Sequence, residues 1–137
     1  IASGEELNLK QDEIILQGHA IQVRVNAENP STMQPSPGKI WECHWPGGPG
    51  IRVDTHANTG YEIPECFDSL LAKIISWAPT RDEAIYRLYS ALDETILLGV
   101  DTLIPLHRAI LMESNFRERQ INTDYLQLNN VKLLGGI

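Results

Sequence analysis

From His19 to Val25 the chain alternates apolar and polar side chains, with Ile21, Val23 and Val25 set against Gln22, Arg24 and Asn26. That period of two belongs to a β-strand with one face buried and the other open. The segment after it, Asn29 to Gly38, interleaves Pro30, Pro35 and Pro37 with Ser and Thr. No helix tolerates that run, so an ordered turn or loop follows the strand. The open face therefore presents Arg24 from mid-strand, on a rigid backbone and between two polar neighbours. Such an arginine is either a solvated surface charge or a fixed, five-donor site for an anion or oxyanion.

The remaining pattern predicts an α+β fold. Lys10 to Leu16 reads as a short segment leading into the Arg24 strand. Lys39 to His44 and Ile51 to Thr55 flank the sequence PGGPG (Pro46 to Gly50), which predicts a hairpin. Ser69 to Trp77 is apolar except for Lys73, as in a strand covered on most sides. Pro79 stops that strand, and Thr80 with Glu83 forms a capping box for a helix whose apolar positions are Ile85, Leu88, Tyr89, Leu92 and Ile96. Gly99 is the expected stop after it. A second helix is predicted from about Leu103 to Met112, with Pro105 in its first turn. Strands first and helices later, without βαβ alternation, point to α+β. Trp41 and Trp77 read as core residues and Cys66 as inert packing, while His44 and Trp45 suggest no chemistry.

Bulk properties exclude several function classes. A formal charge of −7 and a pI near 5.0 argue against broad binding to a nucleic-acid backbone. No apolar run is long enough to span a membrane. Two cysteines are too few for a disulfide scaffold and fit reduced, cytoplasmic thiols. Cys43 and His44 are adjacent, and His19, His56 and His107 follow no ligand spacing, so no metal site is expected.

In their order and spacing, the blocks GHAIQVRVNAENP and PSPGKI resemble the C-terminal subdomain of biotin carboxylase, the ATP-dependent component of acetyl-CoA, propionyl-CoA and pyruvate carboxylases. The resemblance continues through PGGPGIRVDTH, TGYEIP, FDSLLAKII, TRDEAIYRLYSALDE, ILLGVDTLIP and NFRERQINTDYL, and so covers essentially the whole chain. It implies an antiparallel, barrel-like set of strands with packed C-terminal helices, and three segments: 1–17 as the end of a preceding ATP-grasp portion and its linker, 18–128 as the subdomain, and 129–137 as a C-terminal tail. IASGEEL would then close a helix of the preceding portion.

The resemblance also assigns roles. Arg24, in the motif RxNAE, matches the family arginine that stabilises charge on the ureido oxygen of biotin during carboxylation of the ureido nitrogen. Asn26 and Glu28 share the motif, but on their own terms they read as residues that pin the following turn and pair locally. Asp68 is open between orienting Arg24, meeting the biotin ring and capping the strand after it. Arg52 matches a homodimer contact in bacterial relatives, although Pro49 stands where an aromatic is common. Thr123 matches a position near the adenine of the nucleotide.

The implied cofactors are biotin on a carrier protein, with ATP and Mg in the complete enzyme. This chain has no Gly-rich phosphate loop and no set of lysines with acidic metal ligands. Those residues and the bicarbonate-binding segment are expected upstream of Ile1, so the isolated chain is expected to bind no cofactor and to be inactive. Its implied partners are that upstream portion, a biotin carboxyl carrier domain, a carboxyltransferase and a second copy. Two other readings are a noncatalytic assembly module of a carboxylase complex and the corresponding part of urea carboxylase. An assembly module has no need of Arg24 within an intact RxNAE motif. The final carboxyl acceptor is selected elsewhere.

Overall fold

The computed structural model describes residues 1–134, with side chains up to Asn129. The predicted strand forms as β1 (His19–Asn26) and pairs antiparallel with β6 (Leu70–Ala78), which also pairs with β4 (Ile51–Thr55). The resulting three-stranded sheet has the order β1-β6-β4 and puts the apolar strand in the middle, as its composition requires. Two further antiparallel pairs complete the strands: β2 (Gly38–Lys39) with β5 (Glu62–Ile63), and β3 (Glu42–His44) with β7 (Ile96–Leu98). The fold is α+β with antiparallel strands only among the described residues.

Helix α1 (Arg81–Glu94) starts at the capping box: Thr80 Oγ1 accepts the Glu83 N–H at 3.3 Å and Glu83 Oε2 accepts the Thr80 N–H at 3.1 Å. Its buried stripe of Ala84, Ile85, Leu88, Ala91 and Leu92 covers one face of the sheet, meeting Val23, Val25, Ala72 and Ile74. Ser76, fully buried in that interface, donates to the Ala84 carbonyl at 2.9 Å and so joins β6 to α1. Helix α2 (Ile104–Met112) carries Pro105 in its first turn, as predicted, and adds Leu111 to the same core. A short α3 (Ser114–Arg117) leads on to α4 (Tyr125–Leu134). A second core of Ala27, Ile40, Ala57, Ile63 and Leu71 lies under the loops and small sheets.

Several expectations are corrected. PGGPG does not close a hairpin, because β3 pairs with β7 and β4 pairs with β6. Helix α1 ends at Glu94, so Ile96 belongs to β7, and Gly99 lies in the turn after β7. Trp41 is 74% exposed, and Trp77 is exposed because odd-numbered positions of β6 from Lys73 onward face away from α1. Cys66 is exposed as well. Residues 1–10 contain a turn but no helix, and they are exposed throughout, so no described residue buries them. The expected tail from residue 129 continues α4 to Leu134, and residues 135–137 lie outside the described residues.

The PGGPG loop gives a direct test of the packing. Gly50 has φ +75°, and a Cβ there would sit 2.5 Å from the Trp77 carbonyl oxygen and against the Arg87 guanidinium. Gly47 has open space around it. Gly50→Ala is expected to cost about 2–4 kcal/mol in urea unfolding, from the left-handed backbone plus the clash. Gly47→Ala should stay within about 0.5 kcal/mol.

Candidate functional site

The sheet face not covered by α1 carries the charged side chains. Register places Arg24 opposite Lys73 and Lys73 opposite Asp54, so the three form one row across the open face. Two cations directly opposite each other raise the local positive potential. Asp54, at the far end of the row, offsets part of that potential.

One irregularity in β6 decides what stands next to Arg24. Val25 pairs with Ala72, but Asn26 pairs with Leu70, leaving Leu71 as an extra residue. Regular alternation from Lys73 would send Leu71 and Ser69 to the open face and Asp68 towards the core. The bulge reverses that parity. Leu71 turns inward beside Ala72, both of them buried, and Asp68 comes to the Arg24 side. There Asp68 Oδ2 lies 3.8 Å from Arg24 Nη2, with side chains 70% and 54% exposed respectively. Asp68 Oδ1 meanwhile accepts the Leu70 N–H at 2.7 Å. Two of the roles open for Asp68 are therefore filled together: one oxygen caps the start of β6 and the other faces the guanidinium. At this separation and exposure the pair is loose, worth little as stabilisation. Among the described residues no hydrogen bond occupies the Arg24 side chain, so its donors remain available.

Asn26 and Glu28 meet in one cluster with Ser69, while the turn after them is held by Asn29, whose Oδ1 accepts the Ser31 and Thr32 N–H groups. Asn26 Nδ2 donates to Glu28 Oε1 at 2.9 Å and to Ser69 Oγ at 3.1 Å, and Ser69 Oγ donates to the same Glu28 oxygen. The Ala27 N–H adds a 2.7 Å bond to the Ser69 carbonyl. This cluster ties the end of β1 to the residue next to Asp68. Asn26 Oδ1 is buried without a partner among the described residues, so the amide has no freedom to turn over without losing both donor contacts. Sequence reasoning missed Ser69, whose only signal is its place beside Asp68.

Sequence reasoning missed His107 too. It projects from α2 onto the outer edge of β1, with Nε2 at 2.8 Å from the Arg24 carbonyl oxygen. Burial lowers its pKa, against the opposing effect of that hydrogen bond. Beside the site, a cleft of about 470 Å³ is bordered by His56, Tyr61, Phe67, Asp68 and Leu70, with the Phe67 ring exposed at its margin.

The other sequence candidates lie apart from this pair. Arg52 is exposed on β4 and bonds Asp54 at 2.9 Å, which raises its pKa. Thr123 is exposed in the turn ahead of α4. His44 meets Glu94 at 3.5 Å, and burial raises the Cys43 thiol pKa. Among the described residues no group of three or more His, Cys, Asp or Glu side chains is arranged to hold a metal ion. Nor is any described helix long and apolar enough to cross a membrane.

Comparison with known proteins identifies the family. Residues 22–128 match the model of the biotin carboxylase C-terminal domain. The chain belongs to that family. It is 44% identical over 127 residues to the biotin carboxylase of Pseudomonas aeruginosa, covering 93% of this chain and 28% of that protein. To the biotin carboxylase of Haemophilus influenzae it is 46% identical over 127 residues, covering 93% and 28% respectively. Among solved structures, the biotin carboxylase domain dimer of Hydrogenobacter thermophilus 2-oxoglutarate carboxylase, in complex with MgADP, ADP and bicarbonate, matches with a TM-score of 0.93 and 41% identity, covering 97% of this chain and 30% of that one. The domain thus spans little more than a quarter of the length of these curated relatives.

The polar cluster beneath the Arg24–Asp68 pair yields a stability test. Ser69→Ala leaves Glu28 and Asn26 each short of a partner and is expected to cost about 1–3 kcal/mol. In a double-mutant cycle with Glu28→Gln, urea unfolding should show a coupling above about 0.5 kcal/mol.

Proposed function

We propose that this domain, residues 18–128, forms one wall of a biotin carboxylase active site, with Arg24 as the group that stabilises developing negative charge. The observation that carries this reading is the Arg24 guanidinium itself. It is fixed at mid-strand on the open face, 3.8 Å from Asp68 and with its donors unoccupied among the described residues. A planar cation with several N–H donors fits an oxyanion. Biotin on its carrier supplies a ureido nitrogen as carboxyl acceptor and a ureido oxygen on which charge gathers.

Arg24 interacts with that oxygen more strongly as charge accumulates, which is the condition for lowering a barrier. Asp68 faces the guanidinium without locking it, because the pair is loose and exposed. Asn26 and Glu28 act through Ser69, fixing the backbone that carries both members of the pair. Among the described residues no group of three or more His, Cys, Asp or Glu side chains is arranged to hold the metal of Mg-ATP. Activation of bicarbonate belongs to the rest of the complete enzyme, and Thr123 is assigned to the side that meets the nucleotide. The reaction class is that of a C–N bond-forming ligase, and the isolated domain contributes no turnover.

Arg24→Ala in the complete subunit is expected to lower biotin carboxylation by about a hundredfold or more, the scale of losing one oxyanion donor. Bicarbonate-dependent ATP cleavage without biotin should fall far less. Arg24→Lys should recover little, since an ammonium lacks the planar fork. Equal loss of both activities would make Arg24 a structural residue.

The same reading places a homodimer contact at Arg52 and the neighbouring PGGPG loop. Pro49 provides no ring for an interface that aromatics favour. Pro49→Phe is therefore expected to tighten the dimer, read as a lower dissociation constant in analytical ultracentrifugation of the two forms.

A further inference from the structure

β1 is an edge strand, bonded to β6 on one side only. In an antiparallel strand, alternate residues turn their backbone polar groups to the same side. Arg24 and Asn26 turn theirs to the unpaired edge, where carbonyl oxygens need donors from outside the sheet. The start of α2 supplies both. The Leu103 N–H reaches the Asn26 oxygen at 3.2 Å, and His107 Nε2 reaches the Arg24 oxygen at 2.8 Å. Leu103 and His107 are one helical turn apart, linked by the bond from the His107 N–H to the Leu103 oxygen at 3.0 Å. One rigid turn of helix therefore holds the backbone at Arg24 and Asn26 of the RxNAE motif.

We propose that His107 is a positioning residue for Arg24, fixing the strand edge from which the guanidinium projects by donating Nε2–H to the Arg24 carbonyl. This rests on the reading of Arg24 given above. A carbonyl oxygen only accepts, so the ring nitrogen facing it must carry a proton. Burial keeps the ring neutral near pH 7, and that proton then fixes the tautomer with Nδ1 bare. Without the bond the carbonyl seeks another donor, and β1 is free to shift at the residue whose placement matters most. Misplacement by about 1 Å at a reacting centre is enough to cost up to about a hundredfold in rate.

The test uses the complete carboxylase subunit with His107→Leu, His107→Gln and Arg24→Ala in parallel. His107→Leu should lower kcat for biotin carboxylation about tenfold, within the range set by small misplacement. Bicarbonate-dependent ATP cleavage should stay within about twofold, because those groups do not depend on the β1 edge. His107→Gln, whose amide N–H can serve the same carbonyl, should recover most of the loss. Independently of activity, ¹⁵N NMR of the wild-type imidazole should show a neutral ring protonated at Nε2. The proposal is overturned if Leu and Gln behave alike, if both activities fall together, or if the ring is protonated at Nδ1. Should Arg24→Ala itself fail to separate the two activities, the reading of Arg24 fails instead. The tautomer would then still report on the His107 contact.

Discussion

The antiparallel pairing of β1 with β6, interrupted once by Leu71, governs both the core and the site. Above the interruption the pairing is regular, and Val23, Val25 and Ile74 turn together towards α1 while Arg24 and Lys73 turn away. Below it, the extra residue sends Leu71 into the second core and Asp68 to the face of Arg24. One inserted residue thus joins two cores and assembles a charge pair. A register slip by one residue would undo both, since every side chain beyond it would change faces. The cost of leaving that register is the loss of Leu71 and Ala72 from the interior, on the order of a few kcal/mol for the leucine alone.

The pair that results is suited to chemistry because it contributes little to stability. An exposed, loosely paired arginine adds almost nothing to folding. Its placement is therefore secured by other groups. From below, Ser69, Asn26 and Glu28 tie the two strand ends together, and from the outer edge His107 and Leu103 hold the β1 carbonyls. The edge contacts also blunt the C-terminal half of β1 against pairing with a foreign strand, because the Arg24 and Asn26 acceptors are already filled.

Local signals are legible in the sequence, and non-local ones are not. β1 is readable because alternation and burial coincide there, and α1 because the Thr80–Glu83 box and the Ile85–Leu88–Leu92 stripe lie within a few turns. The PGGPG loop misleads because nearness in sequence suggests pairing between its flanks. In the fold, β3 finds β7 and β4 finds β6, and those pairings depend on tertiary contacts that no turn signal encodes. Trp77 reads as core because β6 is apolar throughout, yet only one face of that strand is covered by α1. Arg24 and Asp68 are legible as candidates through family resemblance. Their juxtaposition depends on a bulge, and a bulge leaves no mark in a run such as SLLAKII. Ser69 and His107 are invisible for a related reason: each acts through a partner more than forty positions distant, Asn26 at a separation of 43 and Arg24 at 83.

That separation bears on how the site is built. Asn26, Ser69 and His107 come from the end of β1, the start of β6 and the middle of α2, so the Arg24 backbone is correctly held only when all three elements have docked. Loop-closure entropy makes such long-range contacts late and cooperative. The open-face row of Arg24, Lys73 and Asp54 is set by the same docking, because its register comes from β6 lying between β1 and β4. Rigidity at Arg24 is then a property of the folded domain as a whole, whereas the guanidinium at its tip stays free to meet a ligand. That division of labour is what an electrostatic catalytic group requires: a backbone that does not reorganise and donors that are not already spent.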